Sequence, residues 1–227
     1  CSLQDVLRVI EEWENYCSHT PPRMRSDTPI VSKICVLKKE LIELNNLVGL
    51  HDLKQSIIDQ LLYFVQGLQG DEMMHTVFYG SPGCGKTAVA NLVAKIYSKI
   101  GILSVGKVIC AYRTDFIGKY LGHTALKTTN LLRSAIGNVL FIDEVYSLGT
   151  RSNEENDSFS KEAIDTLNLF LSENGNKFIC IVAGYEREIE EQFFNKNPGL
   201  ERRFPWKFHI STYSHEELYD IFIKQIK

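Results

Sequence analysis

Gly80-Ser81-Pro82-Gly83-Cys84-Gly85-Lys86-Thr87 fills every fixed position of the pattern G-x-x-x-x-G-K-[ST], a loop that cradles phosphates. Glycines at 80, 83 and 85 admit backbone angles that side chains forbid, so successive N–H groups can converge on phosphate oxygens. Lys86 adds a point charge for the β- and γ-phosphates, and Thr87 a hydroxyl ligand for Mg2+. The flanks agree with this reading. His75-Thr76-Val77-Phe78-Tyr79 is β-branched and aromatic, the make-up of a short buried strand. Beyond the loop, Val89, Leu92, Val93, Ile96, Tyr97 and Ile100 recur at helical spacing. A helix N-terminus therefore faces the phosphates, and its dipole favours anions. Ser81, Pro82, Gly83, Cys84, Gly85, Lys86, Thr87 and Ala88 are the expected nucleotide contacts. The bland alternative is a glycine-rich turn without a ligand; the strand–loop–helix setting argues against it.

About 55 residues downstream, Asn138-Val139-Leu140-Phe141-Ile142-Asp143-Glu144 is an apolar strand ending in two acids. Ligands of parallel sheets bind beyond the carboxyl ends of the strands. Asp143 is thereby expected beside the phosphate loop, holding Mg2+ through water. Glu144 is the expected general base for an attacking water. Two acids can also simply end a strand; the upstream loop is what makes the functional reading the better one.

Strand candidates at 75–79, 107–112, 138–143, 178–183 and 206–210 alternate with helices near 86–100, 124–136, 160–173 and 186–194. That alternation predicts an α/β fold, a five-stranded parallel sheet flanked by helices, of the P-loop NTPase type. Before it, Leu3, Val6, Leu7, Ile10, Trp13 and Cys17 share one helical face. The stretch 18–29 reads as a linker. Further helices are expected at about 31–44 and 52–68, around a turn at Leu47-Val48-Gly49-Leu50. Ser214-His215-Glu216-Glu217 is a capping box that opens a last helix. The expected division is 1–40 as a helical N-terminal segment and linker, 41–212 as the nucleotide-binding domain, and 213–227 as the start of an incomplete helical lid.

Composition narrows the class. At 227 residues, with 44% hydrophobic and 23% charged residues, the chain can bury a real core. A net charge of −3 gives no global basic field to recruit nucleic acid. The six cysteines (1, 17, 35, 84, 110, 180) lack metal-ligand spacing. Cys110 and Cys180 are expected to be small core residues, which suits an intracellular, reducing, cytoplasmic setting. No apolar run reaches membrane-span length and no signal peptide opens the chain, so no membrane partner is expected. The chain begins with cysteine, which reads as a fragment.

From about residue 44 onward the chain resembles the AAA+ ATPases. The Asp-Glu pair at 143–144 is typical of them, and so is Leu47-Val48-Gly49-Leu50. Within that family it is similar to a subgroup containing red-type Rubisco activases, the stage V sporulation protein K group and type VII secretion ATPases. Four stretches carry this likeness. They are Phe116-Ile117-Gly118-Lys119-Tyr120-Leu121-Gly122-His123-Thr124-Ala125, residues 140–148, Lys161-Glu162-Ala163-Ile164-Asp165-Thr166-Leu167, and Val182-Ala183-Gly184-Tyr185 with Asn197-Pro198-Gly199-Leu200.

The resemblance implies ATP as the nucleotide, with Mg2+, and backbone contacts from Val48 and Gly49 to the adenine. It implies that Tyr120 and Leu121 form a pore loop gripping a polypeptide. A ring between Gly118 and Gly122 would give sequence-tolerant apolar contact on a loop free to move. It implies an arginine finger in Pro198-Gly199-Leu200-Glu201-Arg202-Arg203-Phe204, Arg203 first and Arg202 second. Such a finger reaches a neighbouring subunit's ATP, so a homo-oligomeric ring, a hexamer, is the implied partner. Many relatives carry a polar sensor where this chain has Ala183-Gly184-Tyr185, and Tyr185 is the candidate sensor here. The segment 152–158 is either a second pore loop or a solvated loop.

The implied activity is Mg-dependent ATP hydrolysis by a ring-forming motor that remodels or threads a protein. The rivals are a DNA-acting motor of the helicase or initiator kind, a nucleotide-regulated scaffold with little turnover, and a small-molecule kinase, in which Glu144 and the arginine segment would have no role.

Overall fold

Five strands form one parallel sheet in the computed structural model, which describes residues 2–20, 29–68, 73–120, 122–149 and 154–226, with the backbone alone for Pro29 and 154–157. The strands are β1 Thr76–Tyr79, β2 Val108–Ala111, β3 Val139–Ile142, β4 Ile179–Gly184 and β5 Trp206–His209. Their spatial order is β2-β3-β4-β1-β5, and every pairing is parallel. Parallel neighbours need crossover connections, which the intervening helices supply.

Both faces of the sheet are covered. Alternate strand residues divide between two cores: Phe78, Phe141 and Ile181 on one side, Val77, Leu140 and Val182 on the other. Five helices bury their apolar sides in the first core: α1 Leu3–His19, α2 Pro29–Cys35, α3 Lys38–Asn46, α4 His51–Val65 and α5 Lys86–Lys99. The second is covered by α6 Arg113–Phe116, α7 His123–Ser134, α8 Glu154–Asn174 and α9 Glu186–Gln192. Two-sided burial is why the central strands β1, β3 and β4 read as runs with no polar–apolar alternation; the edge strands β2 and β5 are only partly buried, and β5 alternates. Each large side chain so buried stabilises the fold by about 1.5–3 kcal/mol. Leu3, Val6 and Ile10 of α1 belong to the same cluster as α4, α5 and the sheet, so the N-terminal helix shares this core.

After β5 the chain enters α10 His215–Ile226. The capping box is made: Glu217 Oε2 accepts from the Ser214 N–H at 2.7 Å, and Ser214 Oγ accepts from the Glu217 N–H at 3.2 Å.

Four expectations need correction. The helix expected at 31–44 is two helices, broken at 36–37. The break follows Cys35, at Val36, a weak helix former; Leu37 is buried and donates its N–H back to Ile34 O at 2.9 Å. The helix expected from 160 begins at Glu154, so the segment 152–158, expected as a second pore loop or a solvated loop, is helical from there. Acidic residue types are favoured at a helix start by the dipole; Ser152 and Asn153 lie outside the described residues, as does most of the 18–29 linker. The helix expected to 68 ends at Val65. Cys180 is buried, but Cys110 is exposed, because β2 is an edge strand. Among the described residues no helix is long and apolar enough to cross a membrane.

Candidate functional site

The loop 80–85 leaves the carboxyl end of β1 and feeds directly into α5. Gly83 and Gly85 sit at φ 78 and 87, the left-handed region that glycine enters without a Cβ penalty. Gly85 is the N-cap of α5, so the helix's first unpaired N–H groups emerge at the loop. The Gly80 N–H donates to Gly184 O at 3.0 Å, which ties the loop to the end of β4. Lys86 is buried, 5% exposed. Its Nζ donates to Ser81 O at 2.8 Å and Gly80 O at 3.2 Å, and lies 3.9 Å from Asp143 Oδ1. A buried ammonium needs such partners. Cys84 Sγ donates to Ser81 O at 2.9 Å. Thr87 and Ala88 are exposed on the first turn of α5.

The two acids follow β3, one strand beyond β4 from the loop. Asp143 is partly exposed, and its Oδ1 accepts the Glu144 N–H at 3.0 Å. Glu144 is exposed at φ 49, one of two non-glycine residues with positive φ among those described. Tyr146 hydrogen-bonds Glu144; burial first, and that carboxylate second, push its hydroxyl above the usual range. Arg113 Nη1 donates to Ser147 O at 2.5 Å and Leu148 O at 3.1 Å, which fastens the turn after the acids to the end of β2. At Gly184, φ 157, an added Cβ would stand 2.9 Å from Tyr146 Cδ1. Glycine occupies the position because the Tyr146 ring lies against it.

The other expected residues are distributed around this centre. Tyr185, 41% exposed, caps α9, its ring 6.3 Å from that of Tyr146. Val48 and Gly49 line a cleft of about 630 Å3 with Asn45, His51, Lys54 and Lys224, which no residue of 80–87 lines. The start of α10 touches both loops: Tyr213 Oη donates to Cys84 O at 3.2 Å, and Glu217 packs on Gly49. Tyr120 is 68% exposed between α6 and α7, its ring edge-on to His123 at 5.5 Å. It is therefore no core residue. Leu121 lies outside the described residues.

Arg202 and Arg203 are at the other end of the sheet. Trp206, the start of β5, pairs with Thr76, the start of β1, so the turn Glu201–Arg203 lies by the amino ends of the strands. Arg202 is exposed and Arg203 half-buried. Arg203 Nε is buried with no hydrogen-bond partner, and no carboxylate among the described residues pairs with this guanidinium.

Residues 76–209 match the family described as the ATPase family associated with various cellular activities (AAA). The chain belongs to this AAA family. It is similar to a cfxQ-like protein of Acanthamoeba polyphaga mimivirus, 43% identical over 85% of this chain and 47% of that protein. It is also similar to stage V sporulation protein K of Bacillus subtilis, 42% identical over 82% of this chain and 59% of that protein. The chain thus spans about half the length of these curated relatives. The AAA domain of FIGL-1 in complex with ADP shares the fold at a TM-score of 0.56, covering 80% of this chain and 59% of that one at 18% identity.

Three residues around the AAA site were not singled out by sequence reading: Arg113, Tyr146 and Tyr213. Each makes its contact through a hydroxyl or guanidinium brought in by the fold. Only Tyr146, two residues past Glu144, carried a local hint.

Proposed function

We propose that this chain is the nucleotide-hydrolysing part of a ring-forming AAA+ motor that uses ATP and water to remodel or thread a polypeptide. The observation that carries the nucleotide-hydrolysing part of this reading is the 3.9 Å approach of Lys86 Nζ to Asp143 Oδ1 across the phosphate loop; the ring and the polypeptide rest on the family resemblance. A cation and an acid meet there at the end of α5, where N–H groups await an anion. The residues fit Mg·ATP: glycines 83 and 85 leave no Cβ in the cradle, Thr87 offers an exposed hydroxyl and Asp143 a partly exposed carboxylate.

On this reading the loop N–H groups and Lys86 bind the β- and γ-phosphates. Thr87 and Asp143 would hold Mg2+, which when bound would offset charge on those oxygens. Glu144 takes a proton from the attacking water. The water oxygen bonds to the γ-phosphorus, the bond from that phosphorus to the β–γ bridging oxygen breaks, and ADP and phosphate leave. Arg203, and Arg202 after it, would serve a neighbouring subunit's phosphates. Val48 and Gly49 would meet the adenine, Tyr185 would sense the γ-phosphate, and Tyr120 with Leu121 would grip the polypeptide. Residues 41–212 carry this chemistry, the helices of 1–40 brace it, and 213–227 begin the lid.

Phosphate release by the full-length protein tests the reading. Unfolded polypeptide should accelerate it, and Lys86→Ala should bring it to background. Acceleration by long single-stranded DNA and not by polypeptide would overturn the remodelling function.

A further inference from the structure

The turn that carries Arg203 is docked against a buried histidine. His75 stands just before β1 and is fully buried. Its Nδ1 accepts the Cys180 N–H of β4 at 3.0 Å, which puts the ring hydrogen on Nε2. Nε2 is buried without a hydrogen-bond partner, and so is Arg203 Nε. The ring lies between Phe178 and Phe204, with centroids at 5.3 and 5.8 Å. Phe204 follows Arg203 directly and is held in turn by Phe193 and Phe194, at 6.2 and 5.8 Å. Among the described residues, Arg203 is the charged side chain that lowers the His75 pKa, after burial itself.

We propose that His75 is the positioning residue of the Arg203 finger. The inference rests on the reading of Arg203 as a residue that acts on a neighbouring subunit. An apolar ring would fill the same space with no unsatisfied donor, and a buried donor without a partner is destabilising. The imidazole does what a phenyl ring cannot. It takes the Cys180 N–H in place of a strand acceptor, which fixes the ring's rotation and so the surface on which Phe204 rests. Two residues of backbone then determine where the guanidinium leaves the protein. His75 is neutral, so no second buried cation competes with Arg203. Both residues lie at the amino ends of the strands, away from the chain's own phosphate loop.

The test uses full-length subunits under ring-forming conditions. His75→Leu should bind an ATP analogue as tightly as the parent and turn over about 10²-fold more slowly, the effect of displacing a catalytic group by about 1 Å. Mixed with Lys86→Ala subunits, whose finger is intact, it should regain turnover that neither variant has alone. A general folding defect would not be rescued in this way. Should His75→Leu not fold, Phe204→Leu keeps the Cys180 bond and carries the same readouts. Slow Arg203→Ala with His75→Leu at parental speed, or a mixture that stays inactive, would overturn this proposal alone. Parental turnover in Arg203→Ala would remove the finger reading and this proposal with it.

Discussion

Glu144 stands in left-handed backbone beside an aspartate that accepts its own N–H. For a residue with a Cβ this costs about 1–2 kcal/mol, and strained backbone of this kind clusters at functional sites. The strain turns Glu144 outward while Asp143 stays beside Lys86. Lys86 and Asp143 were legible in sequence because a motif fixes their spacing and a parallel sheet fixes where strands end. Arg113 and Tyr213 were not, since their contacts join residues that the chain alone does not bring together; Tyr146 carried only the hint of standing two residues past Glu144. His75 read only as the first residue of a strand, yet it is a buried ring whose pKa is depressed to about 3 by burial first and Arg203 second. An unfolded histidine titrates near 6.5. Between pH 6.5 and 3 the unfolded chain therefore binds a proton that the folded chain does not. The contribution is complete above 6.5 and falls with pH, by up to about 1.4 kcal/mol per unit. Urea denaturation at pH 7 and pH 5 should show a larger loss for the parent than for His75→Leu; equal losses would contradict it.

At the scale of elements, strand positions were readable to within a residue or two, because buried parallel strands are short apolar runs with few alternative uses. Helix ends were less so. Nothing in the apolar spacing of Ile34, Leu37, Leu41 and Leu44 announces the break between α2 and α3, since those positions fit one continuous helix. The start of α8 was missed because its polar residues resemble a loop. Cys110 was misjudged because sequence does not say which strand is the edge. The end of β4 shows a residue chosen by its neighbour: Gly184 has no room for a side chain beside Tyr146. Gly184→Ala should destabilise the protein by about 1–3 kcal/mol, the range for overpacking a closed site. An unchanged urea midpoint would contradict that packing.

Across the whole molecule, the sheet separates two kinds of site. Its carboxyl ends carry the phosphate loop and the acids; its amino ends carry His75 and Arg203. Four strand residues at about 3.3 Å each put roughly 13 Å between the two ends. Arg203 therefore serves a phosphate site, on the proposed function, only by meeting that of another copy. The sheet was readable because its strands and the phosphate loop obey local rules, whereas the position of Arg203 at the opposite end of the sheet from that loop follows from topology. On the proposed function, the acid pair at the end of β3 carries ATP hydrolysis. The most direct test is phosphate release by full-length protein carrying Glu144→Gln, with binding of an ATP analogue measured alongside. The account predicts unchanged binding and release slowed by about 10²-fold or more, the usual contribution of a general base; release at the parental rate would contradict it.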